Sequence, residues 1–168
     1  MRVVLQRVKE ASVTIDGNVH GQIQQGYMAL VGICEEDNQE IVAKLAKKTA
    51  ELRVFSDADD KMNLGIQDVN GAILSISQFT LYADCKKGRR PSFVKAAKPD
   101  IAIPMYEKFL AVLERELQKP VGRGIFGADM KVELLNGNLL VVALRTVLLN
   151  LTLTPKQQQI FLVSQKLQ

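Results

Sequence analysis

The sequence predicts a mixed α/β domain of the α+β kind, an antiparallel-rich sheet with flanking helices. Three observations lead there. Apolar and polar residues alternate with period two in the first 33 residues, two later stretches carry helical spacing, and no linker or internal repeat divides the 168 residues. A chain of this length buries roughly two-thirds of the surface it exposes when unfolded, so a core forms without a disulfide or metal staple.

The elements follow in order. Ala11, Val13 and Ile15 alternate with Ser12 and Thr14 as in a half-buried strand, and Asp16-Gly17 supplies a hairpin turn. Tyr27 to Ile33 is apolar nearly throughout, as expected of a strand covered on both faces. Asp37 and Glu40 have the spacing of a helix cap. Ile41, Leu45 and Leu52 then share one face, with Lys44, Lys47 and Lys48 mostly opposite. Arg53-Val54-Phe55 reads as a short strand followed by the Asp-rich loop Ser56 to Lys61, which lacks the glycine and distal glutamate of a calcium loop. Ala72 to Ala83 reads as the strongest strand, with Gln78 and Thr80 on one face. The loop Lys86-Lys87-Gly88-Arg89-Arg90-Pro91 is strongly basic. A second helix is predicted from about Ile103 to Leu117, ending before Pro120. Met130, Val132 and Leu134 alternate with Lys131 and Glu133 as a further strand.

Composition narrows the chemistry. Cys34 and Cys85 stand far apart with no second thiol or His near either, so neither makes a local zinc site or redox pair. His20 is the one histidine and falls in a polar hairpin, which argues against Ser-His or Cys-His catalysis. Gly122, Gly124 and Gly127 lack the strand-to-helix context of a dinucleotide fingerprint. The longest apolar run, Leu139 to Leu144, is far shorter than the ~20 residues of a membrane span. The N-terminus has no secretory pattern, and the expected location is cytoplasmic. The formal charge of +4 rests largely on Arg145, Lys156 and Lys166, because no acidic residue follows Glu133. Up to Glu133 the balance is 19 basic against 18 acidic residues, so global charge does not argue for a polyanion partner.

Hydroxyls, amides and backbone remain as the chemical groups. A glutamine and a threonine held together donate hydrogen bonds to a carbonyl, and free backbone N–H groups at a strand irregularity cradle an oxyanion, which suits an activated ester. Ser77-Gln78-Phe79-Thr80-Leu81 is the segment with those groups. The competing reading is polar residues on the exposed face of an antiparallel strand.

Six segments carry a resemblance that weighs between these readings. Arg2 to Val8, Ala11-Ser12-Val13, Leu52 to Phe55 with Lys61-Met62-Asn63, Ser77 to Leu81, Gly88-Arg89-Arg90-Pro91-Ser92-Phe93, and Phe126-Gly127-Ala128-Asp129-Met130 occur in order. Their spacing resembles that of the D-aminoacyl-tRNA deacylases, also known as D-tyrosyl-tRNA deacylases, from Met1 to about Asn136. The resemblance implies a cytoplasmic homodimer with a β-barrel-like sheet and flanking helices. It implies an enzyme that hydrolyses the ester joining a D-amino acid, or glycine, to the terminal adenosine of tRNA as a proofreading step. It implies no metal and no organic cofactor.

On that resemblance Gln78, Phe79 and Thr80 are the catalytic residues, and Ser77, Met130, Lys86, Lys87, Arg89 and Arg90 bind substrate, the basic ones at acceptor-stem phosphates. Arg7 becomes a support for the loop that reads chirality. Thr80 has been cast as a nucleophile in such proteins. A backbone mechanism assisted by the adenosine 2′-OH fits better here, because nothing in the sequence offers Thr80 a base.

The family's Asn-x-Gly-Pro-Val-Thr segment is replaced by Leu135-Asn136-Gly137-Asn138-Leu139-Leu140-Val141. In the family its Gly-Pro peptide is cis and enters the partner subunit's pocket to exclude L-amino acids. Without proline a cis peptide costs about 2.5–4 kcal/mol, so that geometry does not carry over. The sequence thus divides into a domain, 1–136, and an atypical tail, 137–168, either a genuinely divergent tail or, as the abrupt loss of similarity favours, the product of a change of reading frame near codon 137. Two alternatives to the esterase follow: an impaired relative that only binds tRNA or adenine nucleotide, and a general hydrolase with Thr80 as covalent nucleophile.

Overall fold

The computed structural model describes residues 1–86 and 88–145. A five-stranded sheet organises the fold. It is built from β1 (Arg2–Val8), β4 (Gly26–Gly32), β7 (Ala72–Ser77), β8 (Gly122–Arg123) and β10 (Val141–Arg145), in the order β10-β1-β4-β7-β8. Strands β2 (Glu10–Ile15), β3 (Asn18–Ile23) and β9 (Lys131–Leu135) form a second, antiparallel sheet in the order β3-β2-β9. β5 (Arg53–Ser56) and β6 (Met62–Gly65) make a small hairpin.

Side-chain alternation in the large sheet assigns each face a partner. Val3, Leu5, Tyr27, Ala29, Val31 and Ile73 point to one core, with α1 (Gln39–Ala50) and α2 (Pro99–Leu117) packed over them. Val8, Met28, Leu74 and Ile76 point to a second core closed by Ala11, Val13, Ile15 and Ile23 of the small sheet. This explains why β4 reads as a continuous apolar run: both of its faces are covered.

The mixed, antiparallel-rich architecture is as expected, though the sheets do not close into a barrel. The pairing differs in one respect, since β4 and β7 run parallel, as do β7 and β8. Parallel neighbours require a crossover, and α1 with the β5–β6 hairpin lies in the connection from β4 to β7.

Three local expectations are corrected. Asn38, not Asp37, caps α1, its Oδ1 accepting from the Ile41 N–H at 3.0 Å. The Asp37 carboxylate turns inward instead, pairing with the Met1 ammonium in a fully buried contact and accepting from the Cys34 N–H at 2.9 Å. The second helix begins at Pro99, whose missing N–H is harmless in a first turn, ahead of the apolar periodicity that marked Ile103. The predicted strand to Ala83 ends at Ser77, and the chain turns through a single 3₁₀ turn, Phe79–Tyr82.

Part of the segment set apart as a tail completes the fold. β10 pairs antiparallel with β1 from Arg2↔Arg145 to Gln6↔Val141, and Leu140, Val142 and Leu144 are buried in the helix-side core. The rest of the tail, 146–168, lies outside the described residues. Every peptide bond among the described residues is trans, Asn138–Leu139 included.

Candidate functional site

The turn at Phe79–Tyr82 forms where β7 leaves the sheet. Gln78 is the residue before the turn, and its N–H still donates to Val31 O at 2.7 Å, anchoring the turn to β4. Leu81 N–H then donates to Gln78 O at 3.2 Å and Ala83 N–H to Thr80 O at 3.0 Å. A 3₁₀ turn satisfies only donors three residues beyond an acceptor, so the Phe79 and Thr80 N–H groups have no partner within it. Two adjacent backbone donors are thus left for an acceptor from outside.

Gln78 and Thr80 do meet, by a route the sequence did not show. They are brought together across the turn, where Gln78 Nε2 donates to Thr80 Oγ1, and not along one face of a strand. The Thr80 hydroxyl is occupied by an amide and has no ionisable base bonded to it.

Beside the turn lies a cavity of about 260 Å³. Ser77, Gln78, Phe79, Phe126, Ala128 and Met130 are among its walls, and Val31, Ile33, Ala97, Ala102 and Gly127 complete them. No lining residue is ionisable. Four of the sequence-predicted residues, Ser77, Gln78, Phe79 and Met130, therefore share one apolar slot, with Thr80 hydrogen-bonded at its edge.

Phe79 is more than half exposed and meets Phe93 edge-on at 5.3 Å between centroids. That contact ties the turn to the base of the basic loop. Reciprocal hydrogen bonds between Asp84 and Ser92, at 2.8 and 2.9 Å, close the loop, and Gly88 takes a left-handed conformation within it. Lys86, Arg89 and Arg90 are exposed and make no ion pair among the described residues. Lys87 lies outside the described residues.

Arg7 stands apart from the slot. Its guanidinium donates to Val54 O at 2.6 Å and to Asn138 O at 3.2 Å, and it lines a separate cleft with Phe55, Ser56, Gly137 and Asn138. Gln6 Nε2 reaches Asn136 Oδ1 at 3.1 Å, so β1 holds the segment that leads into Gly137 and Asn138.

Three residues that support the turn escaped the sequence reading. Gly32 lies beneath it, where a Cβ would come within 3.1 Å of Gln78 O and Leu81 Cβ. Arg2 Nη1 donates to Leu81 O at 2.5 Å, and its guanidinium lies 4.4 Å from the centroid of the Tyr82 ring. Tyr82 is buried beside Cys34, and burial pushes both the phenol and the thiol above their ordinary ranges. The one signal in the sequence was a glycine inside the apolar run of β4.

A donor-bearing turn at the edge of an apolar slot, on a sheet covered by helices, offers hydrogen bonds to a neutral acceptor. The comparisons with known proteins are specific. The family model described as D-Tyr-tRNA(Tyr) deacylase matches residues 4–142. D-aminoacyl-tRNA deacylases of Flavobacterium johnsoniae and Flavobacterium psychrophilum are each 55% identical over 136 residues, 81% of this chain and 91% of theirs. The solved structure of the c-Myc DNA Unwinding Element Binding Protein matches with a TM-score of 0.81 and 34% identity, over 88% of this chain and 99% of that one. A probable eukaryotic D-amino acid tRNA deacylase matches at a TM-score of 0.73, over 84% and 97% of the two chains, and its 14% identity makes that a likeness of fold alone. This chain belongs to the D-Tyr-tRNA(Tyr) deacylase family.

Proposed function

We propose that this chain hydrolyses the ester of D-aminoacyl-tRNA, releasing the D-amino acid and free tRNA. The observation that carries the reading is the pair of backbone N–H groups, Phe79 and Thr80, left without a partner inside the turn at the edge of the Gln78–Met130 slot. Hydrogen-bond donors fixed where negative charge develops stabilise a tetrahedral intermediate, and losing one such donor typically costs a factor of about 10²–10³ in rate. The ester carbonyl oxygen sits on these donors and the D-aminoacyl group enters the slot. Water adds to the carbonyl carbon, the bond to the ribose 3′-oxygen breaks, and that oxygen takes up a proton. The adenosine 2′-OH assists the transfer, since no lining side chain serves as a base.

Thr80 is a hydrogen-bond partner and not the nucleophile in this scheme, because its oxygen already accepts from Gln78 Nε2. Ser77 and Met130 shape the slot. Lys86, Lys87, Arg89 and Arg90 hold acceptor-stem phosphates, a reading supported by their exposure where described. Arg7, bonded to Asn138 O, supports the loop that stands in place of the Gly-Pro element. The protein works as a cytoplasmic homodimer in translational proofreading, a reading that rests on family membership. No helix of the described residues is long and apolar enough to cross a membrane.

The test is incubation of the purified chain with tRNA charged with a D-amino acid. Release of that amino acid at micromolar enzyme supports the proposal, and no release overturns it. Thr80→Ala separates the mechanisms: the backbone scheme retains substantial turnover, whereas a covalent threonine mechanism loses it.

A further inference from the structure

We infer that Arg2 is a positioning residue for hydrolysis, clamping the far end of the turn whose backbone N–H groups hold the ester carbonyl. The inference rests on the function proposed above and adds a residue to it.

A four-residue 3₁₀ turn is too short to hold itself, because few hydrogen bonds close within it and their geometry is poor. Its position is therefore set from outside. The leading end is fixed by the Gln78 N–H on Val31 O at 2.7 Å. At the trailing end the last carbonyls of any helical turn lack N–H partners, and here Arg2 Nη1 donates to Leu81 O at 2.5 Å. The same guanidinium lies over the Tyr82 ring at 4.4 Å, joining a cation–π contact to the hydrogen bond. Phe79 and Thr80 lie between the two clamps.

The backbone of Arg2 is held where this reach is possible. In β1 it pairs with Gly32 of β4, the residue directly beneath the turn, and with Arg145 of β10 on its other side. The preceding Met1 ammonium is fixed to buried Asp37. Arg2 thus starts from the sheet position beside the turn's floor and ends on the turn's last carbonyl. Lysine keeps a cation at this place but not the planar fork that serves ring and carbonyl together.

The test uses the full chain and two variants, Arg2→Gln and Arg2→Lys, with D-aminoacyl-tRNA as substrate. Misplacement by about an ångström costs on the order of 10²-fold in rate, so Arg2→Gln is expected to lower kcat by roughly 10- to 100-fold. KM for charged tRNA should stay within about twofold, because the loss falls on the transition state. Arg2→Lys should recover part of kcat by restoring a charged donor with the reach to Leu81 O. Amide hydrogen exchange supplies a readout that does not need activity: Leu81 and Ala83 should exchange at least about tenfold faster in Arg2→Gln, with Ala29 in β4 unchanged, as for local opening of one element. Unchanged exchange at Leu81 and Ala83 overturns the inference. So does an unchanged kcat in an active protein, or a rise in KM alone. If the wild-type chain releases no D-amino acid, the proposed function fails, and the exchange result still decides whether Arg2 clamps the turn. Where Arg2→Gln does not fold, Arg2→Lys carries the same comparison, with an intermediate loss of kcat expected and wild-type kcat and exchange overturning.

Discussion

Replacing Gly32 by alanine tests whether the turn's position governs the rate. The backbone of Gly32 is not in the left-handed region, so the new side chain causes no conformational strain of its own. Its Cβ would stand 3.1 Å from Gln78 O, 3.1 Å from Leu81 Cβ and 3.3 Å from Tyr82 Cδ2. Ordinary contacts between carbon atoms fall at about 3.5–4.0 Å, and β4 is buried between two cores and does not yield. The turn must therefore retreat by roughly 0.5 Å, and if a 1 Å misplacement costs about 10²-fold, half of that costs about tenfold. Overpacking a core position also destabilises by about 1–3 kcal/mol, which lowers the melting midpoint by several degrees in a domain of this size. Single-turnover deacylation and a thermal melt measure the two effects separately. A Gly32→Ala protein that melts lower but deacylates within twofold of wild type refutes the link between turn position and rate.

Other outcomes follow from the same structure. Asp37→Ala removes the carboxylate paired with the buried Met1 ammonium and the acceptor of the Cys34 N–H, and should destabilise by about 3–5 kcal/mol in urea unfolding, as removal of one partner of a buried pair does. An effect under about 1 kcal/mol would show that the pair is solvated. The Asp57 carboxylate accepts from Asn63 Nδ2 and from the Asp59 and Lys61 N–H groups, and the Asn63 bond first, then the backbone bonds, hold it below the ordinary carboxylate range. A carboxylate lowered in the folded state adds stability above its unfolded pKa and loses it as pH falls through the folded value, so Asp57→Asn should flatten the stability profile below about pH 4. An unchanged acid limb contradicts that. Arg89→Ala with Arg90→Ala should make the logarithm of tRNA affinity less steep against the logarithm of salt by about 1.4–1.8, if each arginine neutralises one phosphate. An unchanged slope removes the loop from the interface.

Much of the fold was legible because the alternation in Ala11–Ile15 and Met130–Leu134, and the apolar run Tyr27–Ile33, are set by burial, which sequence records directly. The parallel pairing of β4 with β7 was not, because pairing direction depends on a long crossover and leaves no local pattern. Asp37 was misread as a cap because its partner is Met1, distant in sequence and beside it in space. The site segment was found for its composition and misassigned in shape. Ala72 to Ser77 continues naturally into Phe79-Thr80-Leu81 by β propensity, whereas the contacts of the turn with Val31, Gly32 and Arg2 are tertiary and leave no local pattern. Arg2 itself was hidden because a charge at a strand end ordinarily faces solvent.

At Gly137–Asn138 the chain carries asparagine where the resemblance implies the proline of a Gly-Pro pair. Arg7 and Gln6 still reach this segment, and β10 continues beyond it into the helix-side core. What the chain lacks is the low cost of a cis peptide that proline provides.

The most direct measurement compares release of D- and L-amino acids from charged tRNA by this chain and by one carrying an Asn-Asp-Gly-Pro-Val-Thr ending. D-amino acid release by this chain is expected, with a wider D-to-L ratio when the ending is restored. No D-amino acid release at micromolar enzyme contradicts the proposed hydrolysis.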